Sequence, residues 1–275
     1  MPSWTCFQCG AQFPETASPP PSCPICEDER QFVNWRGQQW LTREELAQRY
    51  RLMLRDDLGV TGVGVEPSLA IGQRALLLRE ADGCVMWDCL PLATLDAVQQ
   101  VRVLGGLKAI AVSHPHFYGA VVDWSEAFGN VPIYLHGDDR KWITRPHPAI
   151  VCWTGDSHRI SGDIALMRGG GHFPGATMLH WRAAANGKGA LFVGDIAMVA
   201  MDRQHVSFMY SYPNLVPLPA HVVERMAGRA CELRFDRIYG AWWDRVVDSD
   251  GEAAVRRSAE RYLAALAWEG DELEL

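Results

Sequence analysis

Residues 108–113 (KAIAVS) form a short apolar run that is closed by His114, Pro115 and His116, and this junction constrains the chain more than any other segment. A run of this length and composition reads as a buried strand. Side chains alternate faces along a strand, so histidines at i and i+2 share one side of an extended backbone. Pro115 keeps His114 out of the helical region. Two neutral imidazoles converging at a strand end make half of a site for a borderline cation such as zinc or iron. Two later apolar runs end in comparable groups: His172 between Gly171 and Gly175, and Asp195 after Val193 and Gly194. A third imidazole and a carboxylate delivered from strand ends would complete a ligand set of His114, His116, His172 and Asp195. Taken singly, each has a plainer reading. The first two histidines could be sheet-end groups satisfied by carbonyls, His172 part of a glycine-rich loop, and Asp195 a cap.

These segments, in this order, resemble the motifs of the metallo-β-lactamase superfamily, whose first motif is normally His-x-His-x-Asp-His. Here it stands as His114, Pro115, His116, Phe117, Tyr118, Gly119. The resemblance runs from about Pro67 to Ala267, and Asp88 after Met86 and Trp87 resembles the strand-end aspartate that precedes the motifs. It implies an α/β (α+β) fold, a four-layered αβ/βα sandwich, and a metal-dependent hydrolase. Asp88 would then orient a histidine or cap a turn, and Asp195 would ligate or act as the base. The departures are informative. Tyr118 and Gly119 replace the Asp-His pair, and residues 238–243 (IYGAWW) offer no histidine where the family supplies one. The set that survives would surround one metal, with three or four protein ligands, and two metals in that site are not expected.

Metal-assisted hydrolysis of an ester, thioester, lactone or phosphoester follows, since such a cation lowers the pKa of coordinated water toward about 7. Tyr118 is a poor base because a phenol titrates near 10, but its hydroxyl can donate to an oxyanion. Trp242 and Trp243 fall where the family places a ligand loop. They read as walls of a pocket for a small apolar or aromatic substrate, with core packing as the plain reading for the eleven tryptophans. Two alternatives stand beside the hydrolase. Persulfide dioxygenases resemble this fold and hold one Fe2+ through the equivalents of His114, His172 and Asp195. A metal-stabilised binding protein without turnover is the other.

Cys6, Cys9, Cys23 and Cys26 form a C-x2-C-x13-C-x2-C pattern around a proline-rich loop. Two such knuckles can set four thiolates tetrahedrally around a structural Zn2+, with rubredoxin-like iron as the competitor. Four sulfurs leave no vacancy for water, so this group serves folding or docking. Cys84, Cys89, Cys152 and Cys231 lie in or beside apolar runs and read as core residues. The N-terminus shows no basic and apolar leader, so a reducing, cytoplasmic setting is expected and disulfides are not. No apolar run approaches the roughly 18 residues of a membrane span. A net charge of −7 disfavours nucleic acid. A homodimer is compatible with the sequence. Composition, at 48% hydrophobic and 21% charged, fits a knuckle and linker over residues 1–40 and a metallo-β-lactamase-like domain over 41–275.

The expected elements are as follows. Thr42 and Glu45 form a capping box that opens a helix running to about Leu54, and residues 59–64 break the pattern. Strands cover 69–71, 75–79 and 85–88, with Asp82 and Gly83 as a hairpin turn. Helices cover 92–103 and 120–128, and a strand 133–135. Strands dominate from 150 to 208, with a hairpin at Asn186 and Gly187. Helices return at 220–233 and 252–268, the latter with Ser249 and Glu252 at capping-box spacing. Residues 31–35 read as an extended link.

Overall fold

Short β-branched runs separated by capped helices dictate sheets with crossovers, and the computed structural model, which describes residues 1–267, has a mixed α/β architecture with several sheets. The chain divides into two compact units, one from Met1 to Trp153 and one from Thr154 onward.

The first unit opens with a ribbon in which β1 (Ser3–Cys6) pairs antiparallel with β2 (Gln12–Glu15) and with β3 (Trp40–Thr42), and a one-turn helix α1 (Pro24–Glu27) carries Cys26. Residues 31–39 form no regular element. The Thr42–Glu45 capping box is present at the start of α2 (Arg43–Arg49). This helix stops at Arg49 rather than near Leu54, because Tyr50 is extended and β4 (Arg51–Asp57) begins. The segment read as a break is β5 (Val60–Glu66), paired with β4 around Leu58 and Gly59. Its β-branched residues alternate with Gly62 and Gly64, and Asp56 Oδ2 accepts from the Gly59 amide at 3.0 Å. Residues 69–71 are a turn closed by the Gly72 amide on the Leu69 carbonyl, with Ala70 at φ +56, and not a strand.

The sheet continues through β6 (Ala75–Glu80), β7 (Gly83–Trp87), β8 (Leu107–Ala111), β9 (Ile133–His136) and β10 (Ile150–Trp153). The β6–β7 turn is Ala81 and Asp82, one residue before the expected pair. Helix α3 (Leu95–Val103) starts where Thr94 Oγ1 accepts from the Ala97 amide, three residues later than expected, and α4 (Val121–Ala127) follows β8. Strands β7 to β10 are parallel neighbours, so the carboxyl ends of β7 and β8 lie together. The ribbon joins this body through a cluster of Leu41, Leu46, Tyr50, Leu69 and Leu92, against which Phe7 packs.

In the second unit, β11 (Ser157–Arg159), β12 (Ile164–Arg168), β13 (Thr177–Trp181) and β14 (Ala190–Gly194) are successive antiparallel neighbours. The β13–β14 hairpin turns through α5 (Ala184–Gly187), a single turn with Ala185 and Asn186 at positive φ, and not through a two-residue turn. Two short pairs follow, β15 (Met198–Val199) with β16 (Val206–Ser207), and β17 (Met209–Ser211) with β18 (Val216–Pro217). Helix α6 (Ala220–Ala230) leads to β19 (Arg237–Gly240), which runs parallel to β14, then β20 (Val246–Val247) and α7 (Gly251–Leu266). No capping box forms at α7: the residue before it, Asp250, is left-handed at φ +54 and makes no side-chain cap. The expected end of this helix at Trp268 lies outside the described residues. No described helix is long and apolar enough to cross a membrane.

Gly119 and Gly187 both sit at positive φ but in different surroundings. A Cβ on Gly119 would fall 2.7 Å from the Leu90 carbonyl carbon and 2.8 Å from its oxygen, whereas nothing lies within 4 Å of one on Gly187. Gly187→Ala should cost only the backbone term, about 1–2 kcal/mol. Gly119→Ala should cost about 1–3 kcal/mol more through overpacking. Urea unfolding of the two variants checks this, and equal losses would contradict it.

Candidate metal centre

His114 follows the carboxyl end of β8 and is extended, at φ −170° and ψ 175°. The two histidines meet by a different device from strand alternation. Residues Pro115–Phe117 form a 3-10 turn that folds His116 back, leaving the rings 4.9 Å apart between centroids at 75°. Both are buried, at 1% exposure. Ser113 Oγ is hydrogen-bonded to His114 Nδ1 at 3.0 Å, so Nε2 lies on the far side of the ring. Asp88, at the end of parallel neighbour β7, accepts from the Ser113 amide at 2.8 Å and donates its own amide to Ala111. Burial pushes its carboxyl up to about 7, against the lowering effect of the Ser113 hydrogen bonds. Asp88 therefore touches the histidine motif through Ser113.

His172 lies in the glycine-rich connection between β12 and β13. Gly171 is at φ +81, and a Cβ there would come within 2.9 Å of Leu218 Cδ1 and Met226 Sδ, which explains the glycine. His172 Nδ1 is 3.1 Å from the Met209 carbonyl oxygen. A carbonyl only accepts, so Nδ1 carries a proton, and in the neutral ring Nε2 keeps its lone pair. Asp195 follows Gly194 at the end of β14, and its Oδ1 is 3.9 Å from His172 Nε2. Antiparallel β13 and β14 place the 169–176 connection and Asp195 at one sheet edge. Tyr212, not anticipated from the sequence, has its ring centroid 6.1 Å from that of His172 and donates its hydroxyl to the Ser207 carbonyl at 3.0 Å. Burial, then the Asp195 charge, raises its phenol well above the usual range. No spacing pattern marked it.

His114, His116, His172 and Asp195 each offer one ligand atom, all within 4.8 Å of one another. Bonds of about 2.0–2.2 Å to a tetrahedral cation put ligand atoms about 3.3–3.6 Å apart. The donor set, three imidazoles and a carboxylate, suits zinc or iron.

The second donor group is the cysteine set. Cys6 Sγ is 3.5 Å from Cys26 Sγ and Cys9 Sγ is 3.7 Å from Cys23 Sγ, all four are buried, and none is in a disulfide. Four sulfurs at about 2.3 Å from a tetrahedral cation would stand about 3.8 Å apart, so these residues fit one closely. Hydrogen bonds from Cys23 and Cys26 hold the Cys6 thiol well below its ordinary range, while the same close sulfurs raise Cys9. Gln38 Nε2 donates to Cys6 Sγ at 3.2 Å, a partner the cysteine spacing did not reveal. These two are the groups of three or more His, Cys, Asp or Glu residues with ligand-like spacing among the described residues.

Tyr118 is buried, with its hydroxyl donating to the Asp139 carbonyl at 3.5 Å, and burial raises its phenol well above the usual range. Gly119 has no room for the side chain that the resemblance places there, because Leu90 backbone occupies the Cβ position. Trp242 and Trp243 are half-buried in the β19–β20 turn, on the edge where β14 ends: the Ala241 amide donates to Gly194 at 3.1 Å. Cys84 and Cys89 are buried, and Cys152 and Cys231 half-buried.

This architecture is shared with solved structures that include metallo-β-lactamases. VMB-1 aligns with a TM-score of 0.58 at 14% identity over 79% of this chain and 99% of its own. The DIM-1 metallo-β-lactamase aligns at 0.57 and 15%, over 77% and 98%. A metallo-β-lactamase of Cronobacter sakazakii aligns at 0.50 and 17%, over 76% and 90%. Fold and donor groups thus define a protein of the metallo-β-lactamase fold with a His/Asp group that could hold a metal ion and an N-terminal four-cysteine cluster. No protein-family model matches the chain. It is 44% identical over 269 residues to the Bacillus subtilis (strain 168) uncharacterized protein YmaE, covering 97% of each, and belongs to the YmaE family.

His172→Ala should empty the His/Asp group while metal remains on the thiolates, and Cys6→Ser should empty the thiolate group. Asp88→Ala should lower stability by about 1–3 kcal/mol through the buried Ser113 amide it orphans. Metal content and thermal melts of the three variants check these outcomes.

Proposed function

We propose that the chain is a metal-dependent hydrolase that holds one catalytic cation at His114, His116, His172 and Asp195 and acts on a small ester, thioester, lactone or phosphoester. The observation that carries this reading is the convergence of three imidazoles and a carboxylate, all buried, within 4.8 Å. A cation bound there would supply Lewis-acid chemistry, acidifying coordinated water and polarising an acyl or phosphoryl oxygen. The protein's share is orientation and proton handling. Met209 fixes the His172 tautomer so that Nε2 faces Asp195, and Ser113 fixes the His114 ring. Asp195 has two carboxylate oxygens, so one can ligate while the other takes a proton from the attacking water. Burial keeps the Tyr118 phenol protonated, which suits it to donating a hydrogen bond rather than abstracting a proton. Half-buried Trp242 and Trp243, on the same sheet edge as Asp195, support a preference for apolar or aromatic substrates. The fold neighbours named as metallo-β-lactamases support hydrolysis as the reaction class.

Metal analysis of protein purified without added metal tests the reading together with an activity screen on thioesters, lactones and phosphodiesters. The expected result is about two zinc ions per chain, one in each group, and a hydrolytic activity that falls more than about 100-fold in His114→Ala. Iron that is lost in His172→Ala and retained in Cys6→Ser would overturn it in favour of oxygenase chemistry. Metal confined to the thiolates would make the chain a binding protein.

A further inference from the structure

Gln12 stands three residues after Cys9, at the start of β2, and is 5% exposed. Each of its four polar groups is engaged, and with the segments that follow the histidine turn. Its amide donates to the Gly119 carbonyl at 3.2 Å. Its own carbonyl accepts from Thr144 Oγ1 at 2.7 Å. The side-chain Nε2 donates to Asp123 Oδ2 at 2.6 Å, and Oε1 accepts from Arg145 Nη1 at 2.5 Å. Asp123, 7% exposed on α4, also takes Arg145 on its other oxygen and Arg43 from the first turn of α2. Gln12 of the ribbon and Arg43, which follows β3, therefore meet on the Asp123 carboxylate of α4.

The opposite ends of this clamp are the two donor groups. On one side, Cys6 and Cys9 bracket the tight turn of the β1–β2 hairpin, where the Gly10 amide donates to Cys6 and the Cys6 amide to Ala11. On the other, Gly119 lies three residues after His116, and the Leu90 carbonyl that crowds Gly119 accepts from the Ala120 amide. Gly10 closes the circuit, since a Cβ there would sit 3.2 Å from Pro91. Segment 89–91 is thus held between the knuckle and the histidine turn. A ribbon this small has little core of its own, so its conformation depends on what the thiolates bind. Buried hydrogen bonds of this kind are costly to leave unmade, and they transmit position rather than merely fill space.

We propose that Gln12 is a positioning residue through which the four-cysteine group holds the His114–His116 turn, so that a loaded thiolate site raises the affinity of the His/Asp site for its own cation. The inference rests on the reading of both groups as metal sites. Linkage requires the coupling to be reciprocal, and couplings between sites commonly amount to about 5–150-fold in affinity.

A double-mutant cycle read by Co2+ binding tests it. The full-length protein with zinc in the thiolates is titrated with Co2+, followed by visible d–d absorption at the His/Asp group, alongside Cys9→Ser, Gln12→Met and the double variant. Methionine keeps the volume of Gln12 and removes its side-chain hydrogen bonds. The expected result is that each single change weakens Co2+ binding about 5–150-fold and the double change weakens it no further than the larger single effect. Gln12→Met should keep its thiolate-bound zinc while hydrogen exchange quickens at the amides of residues 116–123. Unchanged affinity in Gln12→Met, or single effects that multiply in the double variant, overturns the proposal. Should Cys9→Ser fail to fold, the Co2+ affinity and exchange of Gln12→Met decide alone. Wild-type protein that binds no Co2+ at the His/Asp group would sink the metal reading and the inference with it. Binding that is indifferent to these changes would sink the inference only.

Discussion

Four ionisable side chains buried within 4.8 Å of one another are the constraint on which the rest of the structure depends. Imidazole and carboxylate groups leave water only when hydrogen bonds, partner charges or a cation replace it. Much of the local backbone makes sense as a means of delivering them. His114 is extended beyond the end of a parallel strand, Asp195 follows the last residue of β14, and His172 hangs from a connection whose glycines allow close packing. In a parallel sheet, side chains just beyond the carboxyl ends of neighbouring strands meet without disturbing the ladder. That is how Asp88 comes to hold Ser113, and through it His114.

The two donor groups differ in what their chemistry allows. A closed set of four thiolates would saturate a tetrahedral ion, and such an ion would tie a ribbon too small for a large core of its own. Three imidazoles with one carboxylate suit a cation that also meets substrate. The departures from the family's first motif have a steric cause at one position, since a side chain at Gly119 would collide with the Leu90 backbone. At the other, Tyr118 is turned toward Asp139 and buried. Just beyond the histidine turn, the Gly119 carbonyl accepts from the Gln12 amide of the ribbon.

Much of this was legible in the sequence because strand ends announce themselves: an apolar run closed by a histidine or an aspartate gives both element and direction. The capping box at Thr42 was legible for the same reason, being a side-chain signature. The hairpin of β4 and β5 was not, because Arg51, Arg55, Asp56 and Asp57 suit a helix surface equally well and Gly62 and Gly64 mimic a break. Its pairing is settled by tertiary contacts such as the buried Arg74 on Asp57. The means by which His114 and His116 meet was misread, since a 3-10 turn and an extended strand both satisfy an i, i+2 pattern. Partners such as the Met209 carbonyl leave no mark at all, because backbone groups carry no residue identity. Gln12 was hidden by its ordinary residue type.

The central claim is that one cation sits among His114, His116, His172 and Asp195. Anomalous diffraction at the absorption edge of the bound metal, on crystals of the full chain, tests it most directly. The account predicts two peaks, one among the four cysteine sulfurs and a second with nitrogen and oxygen ligands from those four residues at about 2.0–2.2 Å. A single peak at the sulfurs, with the three imidazoles hydrogen-bonded to protein groups instead, would contradict it.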